Sequence, residues 1–483
     1  PAGEPGPAGA PGPAGAEGQL PDSLSGTDKL LLGLGGSAAL DELTGMTVNM
    51  RGHHLVDLEG ECFEQAPLGN LFTMTVHRDL HNDLTRVEVD RDLEFFPGQI
   101  GVSTELDRQT FTYFIQPDGA WVEGRDNNEL PPEIVRHTMP SPHYGAYTKE
   151  LAMILPHGLI RDAAAGDGIV DDGYELIGEL AHHRLHLSAG PYAATALVHP
   201  HTGHLTAVRL VENHYLRRDI TVTYRFAGWN GDGLRFPERI FVSVAGAAQG
   251  EFQVTSAEVN PGFAADAFTP PADAILELDA DEVARGRSSS QPHLAVAAAG
   301  LDLDKPALHV QATAITNQAG DDLGMWYITG SDTRHHSMVV EQSAGVVLFD
   351  APVRPERGDN IAAWVAATIG KPITHIVISH HHFDHAAGAR SIVAAGADAI
   401  VFEDTRPMFS EVFSAPSTVV PDTLAQLVPR PAVRVLTVPR DGSLALPDAI
   451  NPIHVYHVPT PHADDMVMPV VTNAASGTSL GFT

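Results

Sequence analysis

The chain has 483 residues, too many for one ordinary core, so two globular units with connecting segments are expected. With 29 basic against 61 acidic residues its formal net charge is −32, a field that repels nucleic acid and anionic membrane surfaces and argues against nucleic acid as a partner. Cys62 is the single cysteine, which rules out an intramolecular disulfide, and no run of 18 or more apolar residues offers a membrane span.

Residues 1–26 read as a low-complexity leader. Glycine recurs at every third place from Gly3 to Gly18, the collagen period, but six triplets are few for a stable triple helix. A flexible, polyproline-like segment is the expectation, with trimerisation through this stretch as the alternative.

Residues 27–283 carry strand-like alternation broken by turn residues, the pattern of a β-rich N-terminal domain. Phe111 to Gln116, then Pro117-Asp118-Gly119, then Ala120 to Val122, spells a hairpin with its turn chemistry in place. Further strands are expected at Ala194 to Val198, Leu205 to Val211, Ile220 to Phe226, Ile240 to Val244 and Phe252 to Val259. One helical stretch, about Ala146 to Ala165, has Leu151, Ile154, Leu155 and Leu159 at helix spacing, with Pro156 expected to bend or split it. His199, His201 and His204 flank Pro200 and Gly203, so a hairpin turn accounts for them better than a metal site.

Composition turns small and polar from Ala284, and residues 284–300 are read as a linker. Beyond it the texture changes. Strands are expected at Leu323 to Thr329, Ser337 to Glu341, Val346 to Asp350, Ile373 to Ser379 and Ala399 to Phe402, and helices at Pro355 to Ile369, Ala387 to Ala395 and Thr405 to Phe413. Alternating strands and helices mark a separate unit, residues 301–483.

The chemistry concentrates in His380, His382, Asp384 and His385, an H-x-H-x-D-H pattern at the mouth of a buried strand. An extended chain sends alternate side chains the same way, so His380 and His382 can share one cation; Asp384 and His385 follow as the chain turns and can face a second. Imidazole nitrogens with a carboxylate oxygen suit zinc, one ion or two, and also iron or manganese. His381 and Phe383 should point away into packing.

Ser379 to Gly388, with Val346 to Pro352 upstream, resembles the metallo-β-lactamase superfamily, over roughly Asp322 to Met468. The resemblance implies an αββα sandwich with the histidine loop at its edge, and a third histidine downstream completing the first cation's ligands. The best match is His462, in Pro461-His462-Ala463-Asp464-Asp465-Met466; His454 and His457 compete, but their strand-like setting suits packing or surface. It further implies that Asp350 braces a ligand by hydrogen bonding, a role that stands beside the plain reading of a strand-ending aspartate capping a turn. His335 and His336 lie on a loop that either faces the site or is solvent-exposed.

The expected fold is therefore α+β in two domains, the second an αββα sandwich incomplete at its C-terminus. After Met468 no counterpart is found for the family's bridging aspartate or its later histidine, and neither Asp464 nor Asp465 is required by spacing to replace the former. Open strand edges of such a truncated sandwich would favour self-association. The function implied is metal-dependent hydrolysis of a small-molecule ester, lactone, amide or phosphoester, with Asp384 as the catalytic carboxylate. The alternative is a binding or structural protein whose hydrolase module is degenerate.

Overall fold

The computed structural model describes residues 19–56, 68–92, 108–126, 135–271, 274, 276–289, 310–330, 335–352 and 354–482. The glycine-triplet leader, Cys62 and the linker from residue 290 onward lie outside these.

The N-terminal part is built on one 13-stranded antiparallel sheet. Strands β1 (Gly45–Val56), β2 (Leu68–Asp79), β3 (Leu84–Asp92), β4 (Arg108–Gln116), β5 (Gly119–Gly124) and β6 (Arg136–Thr138) meander from the centre to one edge. Strands β7 (Ile169–Ile177), β8 (Leu180–Ala189), β9 (Tyr192–Val198), β10 (Leu205–His214), β11 (Arg218–Asn230), β12 (Phe236–Val244) and β13 (Ala247–Val259) run back from the other edge, and β13 closes against β1. The expected hairpin is β4–β5, and residues 199–204 form the turn between β9 and β10, as their proline and glycine dictate.

Two helices, α3 (Ser141–Ile154) and α4 (His157–Ala165), carry the chain from one edge of the sheet to the other. They follow α1 (Gly26–Gly33) and α2 (Ser37–Asp41), which precede the sheet. The single helix expected over 146–165 is split at Leu155–Pro156, where proline removes a donor and clashes with the preceding turn. Tyr147, Leu151, Met153, Leu159 and Ile160 pack with Val48, Val76, Val87 and Tyr113 into the core of this part. The other side of α3 meets α5 (Ala280–Arg287) so closely that a Cβ on Gly145 would lie 2.1 Å from Val283 O, and one on Gly286 would lie 2.0 Å from Pro142 O. Residues 284–287, expected in a linker, are thus the last turn of a packed helix, capped by Asp279, which accepts from the N–H groups of Asp281 and Glu282.

The C-terminal part has a seven-stranded sheet in the order β14 (Gln311–Thr316), β15 (Asp322–Thr329), β16 (Ser337–Glu341), β17 (Val346–Phe349), β18 (Ile373–Val377), β19 (Asp398–Phe402), β20 (Val435–Val438), with β17 to β20 parallel. A four-stranded antiparallel sheet, β21 (Ser443–Leu446), β22 (Ile453–His457), β23 (Val467–Thr472) and β24 (Ser479–Gly481), faces it. Met325, Val347, Phe349, Val377, Ile400, Ile453, Val455 and Val471 fill the space between the two sheets. On the opposite face lie α6 (Pro355–Thr368), α7 (Phe383–Ala386), α8 (Ala389–Ala394), α9 (Arg406–Ser414) and α10 (Thr423–Gln426), through Ile361, Val365, Ile392, Phe409 and Phe413. The stretch expected as one helix from Ala387 is thus preceded by a separate turn, α7, inside the histidine loop. The described layers are helices, large sheet, small sheet; among the described residues no helix follows α10.

The two parts meet where the three-residue turn Tyr215-Leu216-Arg217, between β10 and β11, enters the helix-side core of the C-terminal part. Tyr215 stacks on Phe383 at 5.9 Å, and Asp219 accepts from the backbone of Thr418 and Val419.

Candidate metal centre

Parallel strands leave their carboxyl ends as the natural place for a site, because loops there are free of pairing duties. β17 ends at Phe349 and is followed by Asp350; β18 ends at Val377 and is followed by Ile378 to His382, which lead into α7. The connection between β22 and β23 approaches the same edge from the other sheet, and Val467 N–H donates to Ser379 O at 2.7 Å to join the two.

His380, His382 and His462 converge there. One ring nitrogen of each lies within 4.8 Å of the others, and Nε2 of His462 and Nε2 of His380 are 3.2 Å apart. His382 completes the triangle with ring centroids 4.5 Å from His380 and 4.6 Å from His462. His380 and His382 are buried. Burial, then the neighbouring rings of His385, His382 and His462, pushes His380 well below its ordinary value, and burial lowers His462 too. Both rings are therefore neutral at pH 7, the form that offers a lone pair.

His380, Asp384 and His385 form a second group with donor atoms within 4.8 Å. His385 Nδ1 donates to Asp350 Oδ2 at 2.8 Å, which turns Nε2 toward Asp384, 3.7 Å from Oδ2. Burial alone would lower His385, but the Asp384 and Asp350 carboxylates outweigh it and raise the ring to about 9. Burial would likewise raise Asp384, yet His385 and His335 together hold its carboxyl well below the usual carboxylate range. Asp384 Oδ1 is buried and accepts no hydrogen bond among the described residues.

Asp350 is fully buried at φ +55°, a left-handed conformation that costs a non-glycine residue about 1–2 kcal/mol. Its carboxylate accepts from Ser379 N–H at 2.7 Å and Ser379 Oγ at 2.8 Å as well as from His385, so one side chain orders the start of the histidine loop and one of its rings.

The remaining candidates separate cleanly. His454 is exposed on β22, and His457 stacks on Phe402 at 4.2 Å while donating from Nε2 to Asp464 O. Asp464 pairs with Arg440 at the surface, and Asp465 turns inward to His381, so neither carboxylate joins the cluster. His335, for which exposure was one of two readings, stands 3.4 Å from Asp384 Oδ2, and His336 packs on Tyr327. Phe383 points into packing as expected, and the position of Tyr215 upon it left no trace in sequence periodicity.

Comparison with known proteins points to the same stretch. Residues 330–468 match the family model described as the metallo-beta-lactamase superfamily. No curated protein matches the chain. Among solved structures, a metallo-β-lactamase of Cronobacter sakazakii with a HARLDQ motif is 21% identical, with TM-score 0.28, covering 37% of this chain and 63% of that one. A metallo-β-lactamase from Pontibacter korlensis is 20% identical, TM-score 0.24, over 35% of this chain and 68% of that one. The FIM-1 enzyme of Pseudomonas aeruginosa, in its mono-zinc form, is 20% identical, TM-score 0.23, over 34% and 63%. The chain thus spans less than two thirds of the length of the Cronobacter and Pseudomonas structures.

Proposed function

Starting from a metallo-β-lactamase superfamily domain in the C-terminal part of the chain, we propose that this protein is a metal-dependent hydrolase in which His380, His382 and His462 hold a divalent cation, with zinc the best fit. Asp384 is the carboxylate donor available to a second cation beside it, and His385 would join it on giving up its proton. The observation that carries the proposal is the close approach of three imidazoles delivered by two separate loops. Two donors each about 2.0–2.1 Å from a tetrahedral ion stand about 3.3 Å apart. The 3.2 Å between Nε2 of His380 and Nε2 of His462 agrees with that spacing, and the orphaned Asp384 Oδ1 is an acceptor in want of a positive partner.

A bound divalent cation supplies Lewis acidity and lowers the pKa of water to about 7, which makes a nucleophile available at neutral pH. What the chain contributes is position and charge. Neutral His380 and His462 present lone pairs without needing to lose a proton. Asp384 is held so firmly ionised that it is a poor store for a proton; its use is to accept a hydrogen bond from the attacking water and orient it. Asp350 fixes the ring plane of His385. Burial of His380 and His382 lowers the local dielectric around these two rings, which strengthens the interactions they make.

The substrate class we assign is a small molecule with a carbonyl or phosphoryl centre: a lactone, ester, amide or phosphoester. The test is turnover of a panel of these by zinc-loaded protein. Hydrolysis of at least one member that disappears in His382→Ala is the expected result; no zinc uptake, or turnover that survives His382→Ala, refutes the proposal.

A further inference from the structure

The three imidazoles come from two loops, 378–382 after β18 and 458–466 between β22 and β23, so the site exists only while the distance between those loops is fixed. We propose that the buried His381–Asp465 pair is the strut that fixes it, making these two positioning residues for the cation; the inference rests on the metal-hydrolase reading above.

His381 Nδ1 lies 2.7 Å from Asp465 Oδ1. A carboxylate only accepts, so Nδ1 carries the hydrogen and donates it. His381 sits between His380 and His382, and Asp465 is three residues beyond His462, so the bond ties the two ligand-bearing segments through side chains. The segment after β18 divides its side chains: His380 and His382 face the cluster while His381, between them, faces the other loop.

Other bonds shape the second loop without anchoring it to the first. Thr460 Oγ1 accepts from the N–H groups of His462 and Ala463, and His457 Nε2 donates to Asp464 O. The backbone bond from Val467 N–H to Ser379 O is a second tie between the two segments, one residue before His380 and five beyond His462, and it fixes backbone rather than ring position.

The energetics favour a positioning role. His381 is 0% and Asp465 4% exposed at the side chain, and Asp465 Oδ2 accepts no hydrogen bond among the described residues. Replacing a buried polar pair of this kind with apolar side chains is often neutral or stabilising, so stability alone does not account for it. Fixing His462 against His380 does.

The experiment is zinc affinity of the full chain, by competition with a chromophoric chelator, together with the cobalt(II) absorption spectrum and the melting curve of the metal-free protein. Asp465→Ala and the double variant His381→Leu with Asp465→Ala should each bind zinc about 10–100-fold more weakly, the usual effect of losing a residue that orients a ligand. The double variant should be no weaker than the single, and its metal-free form should melt no lower than the wild type. Asp465→Asn, which keeps an acceptor oxygen in place, should restore affinity to within a few fold, and Asp464→Ala should leave it unchanged. The cobalt spectrum should change in Asp465→Ala and not in Asp464→Ala. If Asp465→Ala does not fold, the double variant carries the test. Wild-type zinc affinity and cobalt spectrum in the double variant overturn the strut while leaving the hydrolase reading in place; a wild-type protein that takes up neither metal overturns both.

Discussion

Asp422 is the residue whose loss should most damage the joint between the two parts of the chain. Its carboxylate accepts from Arg390 Nε at 2.5 Å and Nη2 at 3.1 Å, stands 3.2 Å from Arg218 Nε, and caps α10 by accepting from Ala425 N–H at 2.9 Å. Arg218 reaches it from β11, across the boundary, and also donates to Ser417 Oγ and Val420 O. All three charged side chains are at most 2% exposed. Burial already pulls the Arg218 guanidinium below its ordinary range in spite of Asp422, so removing the carboxylate leaves two arginines under-compensated. Breaking one buried pair costs about 3–5 kcal/mol. Loss of the helix cap adds about 1 kcal/mol. Asp422→Ala should therefore destabilise by about 4–6 kcal/mol, and Asp422→Asn, which keeps the cap, by about 1 kcal/mol less. Urea unfolding followed by tryptophan fluorescence and circular dichroism measures this, with both probes needed because two units need not melt together. A cost below about 1 kcal/mol for Asp422→Ala would refute the reasoning, since it would mean solvent reaches the arginines freely.

Three other perturbations test separate parts of the account. Tyr215→Ala removes the ring stacked on Phe383, inside the histidine loop, and should cost about 3–5 kcal/mol while also weakening zinc binding; Tyr215→Phe should cost far less, and equal effects of the two in unfolding and zinc titration would contradict the stacking role. Asp350→Asn should lower zinc affinity about 10-fold or more through His385, measured by chelator competition, and an unchanged affinity would remove Asp350 from the site. Acid should destabilise the N-terminal part: burial lowers His54 and His214 to about 3 and His157 to about 4. With folded values below the unfolded value of about 6.5, their stabilising effect is complete above that pH and is lost as pH falls toward 4 and 3. Each then contributes about 3–5 kcal/mol of acid lability. Urea midpoints at pH 7, 5.5 and 4.5 should fall in that order, and His157→Gln should flatten the slope; a pH-independent midpoint is the contrary result.

Local signals in the sequence translated well into structure. The Pro117-Asp118-Gly119 turn, the break at Pro156 and the strand before the histidine loop depend on chemistry within a few residues, and each lies where that chemistry requires. The H-x-H-x-D-H spacing placed His380, His382 and Asp384 on one loop, and the Pro-His-Ala-Asp stretch singled out His462, which the structure brings beside them. What escaped is non-local. Nothing in β1 or β13 announces that they pair across some two hundred residues to make a single sheet. Tyr215 and Leu216 are apolar residues at a hairpin tip, where no periodicity assigns them to the core of another unit. His335, two residues before β16, meets Asp384 from a stretch some fifty residues earlier in the chain, and nothing local to it announces that neighbour. The helix at Ala280–Arg287 did carry a legible signal, Asp279 followed three residues later by Glu282, which the small and polar residues after it obscured.

The central claim is that His380, His382 and His462 hold one cation between them. The most direct test is X-ray absorption at the zinc edge of protein loaded with one equivalent, in the wild type and in His462→Ala. The account predicts scattering from three imidazoles at about 2.0–2.1 Å in the wild type and two in the variant. A wild-type spectrum without imidazole scattering, or one unaltered by His462→Ala, would contradict it.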